Sequence, residues 1–258
     1  MTKEELLFCP LGGSGEIGGN MNLYAYGKED NQKWIIVDMG VSFADDSVPG
    51  VDLIYPDAGF IIDKKEELLD EFENLLGHNK IFVERTADIG IMPKDVAINF
   101  GVSGPNLRAS GVNWDLRKNE PYSVYDRFDF DIPIGQGIKG SVGDSWDRFY
   151  VRIHEIRQSV KIVRQAIDQL PKEGDVHQAM PKKIRPPKGS VYSRTESPRG
   201  DLGYYITSDG SDIPYRVKMR SPAFTALGVL NEIAGGWLMS DVLAILGSLD
   251  IVLGEIDR

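Results

Sequence analysis

The hydrophobic pattern of this chain changes period near residue 63, and that change limits what each part can fold into. Before it, short apolar runs are separated by glycine-rich and polar turns, a pattern typical of strands. The runs lie at residues 6–11, 21–26 and 34–38. After it, Leu68, Phe72 and Leu75 recur at helical spacing. The sequence therefore predicts an α+β chain, with a small β-meander over residues 1–63 and a helix-dominated part over residues 64–258.

The clearest helix is predicted from about Asp144 to Leu170. Its apolar residues alternate three and four positions apart, which gives one continuous stripe. They are Trp146, Phe149, Ile153, Ile156, Val160, Val163, Ile167 and Leu170. Its other faces carry charges, including Arg148 and Arg152, and these predict a solvated or subunit-facing surface. An earlier helix is predicted to end at Gly77.

Two further elements are predicted beyond the Pro/Lys/Gly-rich connector at residues 171–190. The segments LGYYITS and IPYRVKM flank SDGSD, which predicts a β-hairpin with a glycine-containing turn. A last helix is predicted over about Ala223–Leu246, ending before Gly247.

Composition excludes several classes of site. Residues 1–63 hold 3 Lys/Arg against 11 Asp/Glu, and the rest of the chain is nearly balanced, so no basic face for nucleic acid is expected. The single cysteine, Cys9, cannot form an internal disulfide or by itself hold zinc or an iron–sulfur cluster. The histidines, His78, His154 and His177, are scattered. We therefore expect no bound metal and no transmembrane segment.

The first part contains a pattern that imitates a dinucleotide site. Gly13 to Gly18 reads GSGEIG, which fits GxGxxG, and Asp38 ends a later predicted strand. A pyrophosphate site requires a helix that begins inside the glycine loop. The following residues, NMNLYAYG, have aromatics two positions apart and favour a strand. Glycines that shape turns between strands are the preferred interpretation.

The same region has a family resemblance. The segments PLGGSGEIGGNMNLYAYG, WIIVDMGVSF and PGVDLIYPD resemble the start of ribonuclease J, a metallo-β-lactamase-fold nuclease, over residues 6–69. That family's chemistry uses an HxHxDH motif that holds two zinc ions, and this chain has no HxH. The resemblance therefore implies the opening strands of that fold, without its metal site or nuclease activity.

The remainder resembles a different family. The segments LLDEFENLLGHNKIFVERTADIGIM, GVSGPNLRASGVNWDLRKNEPYSVYDRFDFDIPIG, GDSWDRFYVRIHEIRQSVKIVRQAI and LAILGSLDIVLGEIDR are similar to the C-terminal portion of the 49 kDa subunit of respiratory complex I, NADH:quinone oxidoreductase. The similarity runs from about Leu68 to Arg258. KEELL-like wording near residues 64–69 is common to both families, which places the junction there.

This second resemblance implies a fold and a role. The family shares the fold of the nickel–iron hydrogenase large subunit, without the cysteines that hold nickel. It implies a peripheral-arm subunit on the cytoplasmic side of the inner membrane, attached to the membrane only through the complex. Its partner would be the subunit with the terminal iron–sulfur cluster, and quinone would bind between the two. NADH would be used elsewhere in the complex, and this chain would bind no cofactor itself.

The resemblance leaves the catalytic residues unassigned. The family's quinone-contacting tyrosine and histidine come from its N-terminal half, which the ribonuclease J-like segment replaces here, so the chain alone is expected to be inactive. The candidates for the quinone cavity are Asp250 and Glu255, with capping and solvation of the chain end as the alternative. The interface candidates are Arg108, Arg127, Arg148 and Arg152. For Arg108, pairing with Asp115 or Glu120 is the alternative, and for Arg127 a local network with Asp126 and Asp129.

Two other functions stay open at this point. The first part motivates a relic of a metal-dependent ribonuclease, and the absent metal motif argues against it. The abrupt junction motivates a recombined chain without an evolved function. Both differ from the leading hypothesis, a fragment of the complex I subunit that scaffolds the quinone site and a subunit interface.

Overall fold

The computed structural model describes residues 68–171 and 184–256, together with the strands of the first part. The chain separates into two units, Met1–Leu68 and Leu69–Arg258. The strands of the first unit are β1 (Glu5–Gly12), β2 (Met21–Lys28), β3 (Asn31–Val37), β4 (Ser42–Phe43) and β5 (Leu53–Ile54). The first three form an antiparallel sheet in chain order, and β4 pairs with β5.

The β2 strand decides between the two interpretations of the glycine motif. A dinucleotide fold would place a helix where β2 runs, and the structure places a strand that pairs Leu23 with Cys9 and with Ile36. The predicted meander is confirmed. The motif glycines themselves, Asp38 and the predicted cap Asp63 lie outside the described residues.

The second unit begins with helices. A helix over residues 68–72, α1, continues as a π-helical turn, Glu73–Gly77. The helices that follow are α2 (Lys80–Glu84), α3 (Lys94–Asn99), α4 (Gly104–Ala109), α5 (Leu116–Asn119) and the long α6 (Ser145–Asp168). A 3-10 turn, Tyr125–Arg127, precedes α6. Asp144 caps α6 by accepting a hydrogen bond from the Asp147 backbone N–H, as the sequence predicted for the start of this helix.

The rest of the unit is a three-stranded antiparallel sheet followed by helices. The strands are β6 (Gly189–Ser197), β7 (Gly200–Ser208) and β8 (Arg216–Arg220), in the order β6-β7-β8. The predicted hairpin is β7–β8, and β6 was not predicted. The helices are α7 (Pro222–Gly228), α8 (Leu230–Ala234), α9 (Met239–Leu249) and α10 (Leu253–Ile256).

The single helix predicted over Ala223–Leu246 is wrong, since the structure divides it among α7, α8 and α9. Gly235 leaves the helical region with ψ of 128°, and Gly236 has φ of +85°. A left-handed residue cannot continue a right-handed helix, and glycine adopts it at little cost. The glycine pair therefore reverses the chain between α8 and α9.

The core of this unit is built from helices that are distant in sequence. Buried apolar side chains from α3, α4, α8 and α9 meet there, and Met92, Ala97, Val229 and Ile245 are completely inaccessible. The long helix α6 packs against α4 and α9. These contacts fix the end of α9, where the chain continues into its C-terminal tail.

Candidate functional site

The end of α9 is held by side chains from other elements. A helix leaves its last carbonyl groups without intrahelical partners. Here the Asn106 amide of α4 donates to the Leu249 carbonyl at 3.0 Å, and the Arg152 guanidinium of α6 donates to the Ser248 carbonyl at 2.6 Å. Arg152 also donates to the Asn106 side-chain oxygen at 2.8 Å. The tail therefore starts from a point fixed by α4 and α6.

Asp250 is the first residue of the tail and caps α9 in the left-handed conformation, with φ of 55°. Arg199 donates to its carbonyl oxygen and to its Oδ1, each at 3.1 Å. The Arg152 Nε lies 3.7 Å from Oδ2. This Nε is buried and has no hydrogen-bond partner within the described residues. Because the Asp250 side chain is 40% exposed, the site is a partly accessible carboxylate between two arginines.

Arg199 reaches Asp250 because the β6–β7 turn packs closely on the start of α4. Gly104 and Gly200 both have positive φ, and a Cβ on Gly104 would lie 2.4 Å from the Gly200 Cα. Only glycines allow this approach. The Ser103 hydroxyl also accepts a hydrogen bond from the Asp201 backbone N–H at 3.0 Å. The sequence pointed to Arg199 only as part of a turn that leads into a strand.

Glu255, the second candidate of the tail, has different partners. Its Oε2 accepts a hydrogen bond from the Ser221 hydroxyl at 2.7 Å and from the Ala223 backbone N–H at 3.4 Å. It therefore adds a carboxylate at the N-terminus of α7, where the helix dipole favours negative charge. The structure brings Asp250 to the arginines and Glu255 to α7.

Arg108 lies at the centre of a buried ion-pair cluster. Its Nε donates to Glu155 of α6 at 2.5 Å, and its NH1 donates to Glu196 of β6 at 2.8 Å. The Asp115 carboxylate lies 3.4 Å away and also pairs with Arg117 at 2.7 Å. The predicted alternative of pairing with Asp115 is thus present. Glu155 and Glu196, which complete the cluster, were not predicted.

The charges in this cluster shift one another's pKa. Burial acts to lower the pKa of Arg108, but the carboxylates of Glu155 and Glu196 outweigh it and raise the pKa. Burial raises the pKa of Glu196, although Arg108 opposes this. For Asp115, burial acts to raise the pKa, and hydrogen bonding to Arg117 with the charge of Arg108 lowers it overall. Arg108 therefore stays charged inside the protein.

Arg148 is also fully buried, and its partners are neutral. Its guanidinium donates to the carbonyls of Gly143 at 2.7 Å and Gly90 at 2.9 Å, and to the hydroxyls of Ser145 and Ser248. Within residues 68–171 and 184–256, no carboxylate forms an ion pair with it. Burial lowers the pKa of Arg148 to about 9. The expectation of a solvated or subunit-facing surface at Arg148 is wrong, because this side of α6 packs on α9 and on the loop that precedes α3.

The remaining interface candidates keep some exposed surface. Arg127 is exposed on the 3-10 turn before Phe128. Arg152 is half-buried, and burial lowers its pKa. A signal for the inward arginines was present in the sequence: Arg148, Arg152 and Glu155 repeat four and three positions apart along the edge of the apolar stripe.

Two concave surfaces lie on the β6–β8 sheet, away from the tail carboxylates. One, of about 490 Å³, is mostly apolar and includes Ile184, Val191 and Ile206. The other, of about 700 Å³, includes Tyr205 and Lys218. Neither is lined by Asp250 or Glu255.

In the part of the chain that the structure describes, no group of three or more His, Cys, Asp or Glu residues is arranged to hold a metal ion. Over the same residues, no helix has the length and apolarity needed to cross a membrane. The acidic residues Asp45, Asp46 and Asp57 lie outside the described residues.

Comparison with known proteins identifies the relatives of this chain. The family model described as "Respiratory-chain NADH dehydrogenase, 49 Kd subunit" matches residues 54–186 and 175–258. A NADH-quinone oxidoreductase subunit of Dehalococcoides mccartyi, the one named D, is 50% identical over 198 residues, which cover 77% of this chain and 52% of the relative. The subunit of the same name from Chlorobaculum tepidum is 54% identical over 191 residues, covering 73% of this chain and 48% of the relative.

A third relative, again a NADH-quinone oxidoreductase subunit of that name, comes from Bacillus cereus. It is 51% identical over 191 residues, covering 74% of this chain and 51% of that protein. The chain thus spans about half the length of the curated relatives it matches. The predicted resemblance to the complex I subunit is confirmed, while the resemblance of residues 6–69 to ribonuclease J stays a prediction. The chain belongs to the 49 kDa subunit family of the respiratory-chain NADH dehydrogenase.

Proposed function

We propose that this chain serves as a component of NADH:quinone oxidoreductase that scaffolds the quinone site and a subunit interface of the peripheral arm. The observation that carries the proposal is the family match over most of the second unit, at about 50% identity to proteins named as subunits of NADH-quinone oxidoreductase. By the same relationship, the fold of residues 64–258 is that of the hydrogenase large subunit. The chain brings no redox centre, and electrons reach quinone from the iron–sulfur cluster of a neighbouring subunit.

The tail is the proposed wall of the quinone cavity. Asp250 presents a carboxylate that is partly exposed and held by Arg199 and Arg152. A fixed carboxylate beside two guanidinium groups can accept a hydrogen bond and orient a polar headgroup without reorganising. Glu255 is the second proposed wall residue, held at the start of α7. Quinone contacts from the family's N-terminal half are still required, so the chain alone does not reduce quinone.

Arg127 and Arg152 are the proposed contacts to the cluster-bearing subunit. Arg127 is exposed and its guanidinium is accessible to a carboxylate of the partner. Arg108 and Arg148 support this surface from inside, because their guanidinium groups are occupied by partners within the unit. Through these contacts the chain is held on the cytoplasmic face of the inner membrane, without entering the bilayer.

The proposal is tested by capture of the cluster-bearing subunit. The immobilised full chain should retain that subunit, and Arg127→Glu should weaken the interaction about fivefold or more by placing like charges together. The matched control is Arg216→Glu, which makes the same charge change on the exposed strand β8. A full chain that fails to retain the cluster-bearing subunit, or a segment 1–63 that retains it alone, would refute the proposal.

A further inference from the structure

The apolar stripe of α6 is covered in its first half. Phe149 packs edge-on against Phe82 of α2 at a ring-centroid distance of 4.9 Å, and against Phe72 of α1 at 6.1 Å. Trp146 and Ile153 on the same stripe are buried. Here the helix behaves as an amphipathic helix should, with its apolar side against the chain's own core.

The second half of the same stripe is uncovered. Ile156, Val163, Ile167 and Leu170 are exposed, the last two by 56% and 69%. Ile156 and Ile167 are 11 residues apart, which is about 16 Å along the helix. An apolar strip of this length on one side of a helix marks an interaction surface.

The polar side of this half is covered, so the exposure is confined to the apolar side. Gln165 accepts a hydrogen bond from the Asp129 backbone N–H, and Gln158 accepts one from the Asp131 N–H, each at 2.9 Å. Lys161 pairs with Asp129 at 2.8 Å. The loop before α6 therefore lies along the polar flank, and the apolar flank keeps no cover from the described residues.

We propose that this apolar half of α6 is the docking surface for an amphipathic helix from the part of the family's subunit that has no counterpart in this chain. The relatives are about twice as long as their matched regions, so about half of each lies outside the match. The apolar residues recur seven, four and three positions apart, which is the spacing that receives the ridge of a second helix. The proposal rests on the proposed function, since it takes the occupant from the same subunit family.

The test is co-expression of the full chain with the part of the Dehalococcoides mccartyi relative that lies outside the matched region, carrying an affinity tag. The two should co-purify as a one-to-one complex. The double variant Val163→Asp plus Ile167→Asp should recover at least about tenfold less chain per partner, because it places two charges in the contact. Both residues are exposed, so circular dichroism and the unfolding midpoint of the variant should match those of the natural chain.

The matched control is Gln169→Asp, an added aspartate on an exposed position away from the stripe, and its recovery should be unchanged. The proposal is overturned if the natural chain recovers no partner, or if the double variant is recovered equally well. It is also overturned if the natural chain alone is a dimer that the double variant dissociates, because the occupant is then a second copy. Capture of the cluster-bearing subunit, measured separately, distinguishes a failure here from a failure of the proposed function.

Discussion

Two arginines are buried completely in the second unit, and their surroundings differ. Arg108 has three carboxylates around it, from Asp115, Glu155 and Glu196, and its pKa is raised. Arg148 donates only to carbonyls and hydroxyls, and burial lowers its pKa to about 9. A buried charge depends on its partners, so removing Arg108 strands several charges, whereas removing Arg148 strands dipoles.

The largest effect is expected for Arg108→Met. The variant leaves Glu155, Glu196 and Asp115 in a buried site without their common cation, and we expect a loss of about 3–5 kcal/mol in the free energy of unfolding. Urea denaturation measures it. Adding Glu196→Gln to the variant should restore part of the loss, because one stranded charge is removed. A loss below about 1 kcal/mol would mean that the cluster is not the ion-pair hub described above.

A smaller loss is expected for Arg148→Met. The substitution removes hydrogen bonds to Gly143, Gly90 and the serines, and it also relieves the cost of burying an unpaired guanidinium. We expect a net loss of about 2 kcal/mol by the same denaturation measurement. If Arg148→Met destabilises the protein more than Arg108→Met, the comparison between the two sites is wrong.

The pH dependence of stability sharpens the description of the Arg108 cluster. The pKa of Asp115 is lowered from its ordinary value of 3.8, so its ion pairs stabilise the fold fully above that pH and less as the pH falls further. The pKa of Glu196 is raised, which has the opposite sign. The difference in unfolding free energy between the natural chain and Asp115→Asn should therefore shrink below about pH 4. A difference that grows on acidification would contradict the direction of the Asp115 shift.

The smallest stability effect is expected at the tail. Arg199→Met removes the bonds to Asp250, and because both side chains are about one-third exposed or more, we expect a loss of at most about 1 kcal/mol. Hydrogen exchange should nevertheless quicken at residues 250–256 and stay unchanged in α3 and α4. Unchanged exchange in the tail would show that Arg199 does not anchor it.

The sequence predicted the elements that depend on local pattern. The period of the apolar residues and the Asp144 cap located α6, and the alternation around SDGSD located β7 and β8. The break between α8 and α9 was missed, although the Gly235–Gly236 pair signalled it. Strand β6 was missed because it follows a Pro- and Gly-rich run and most of its residues are exposed.

The partners of the site residues were less predictable. Arg148 was assigned to an outer face because the period of α6 identifies its apolar stripe and says nothing about a polar residue at the edge of that stripe. Its burial depends on α9, whose Ser248 is 100 residues away. Arg199 and Asp250 are 51 residues apart and meet only because the β6–β7 turn packs on α4. Such pairs arise from tertiary packing rather than from local pattern.

The central claim is that residues 69–258 perform the role of the matched half of the 49 kDa subunit at the quinone site. A chimaera in which they replace the matched region of a relative tests it directly, with NADH-driven quinone reduction by membranes as the readout. The chimaera should support quinone reduction, and Asp250→Asn should lower it while NADH oxidation by ferricyanide, the amount of assembled enzyme and the Asp168→Asn control stay unchanged. A chimaera that assembles without reducing quinone, or an Asp250→Asn variant with full quinone reduction, would contradict the account.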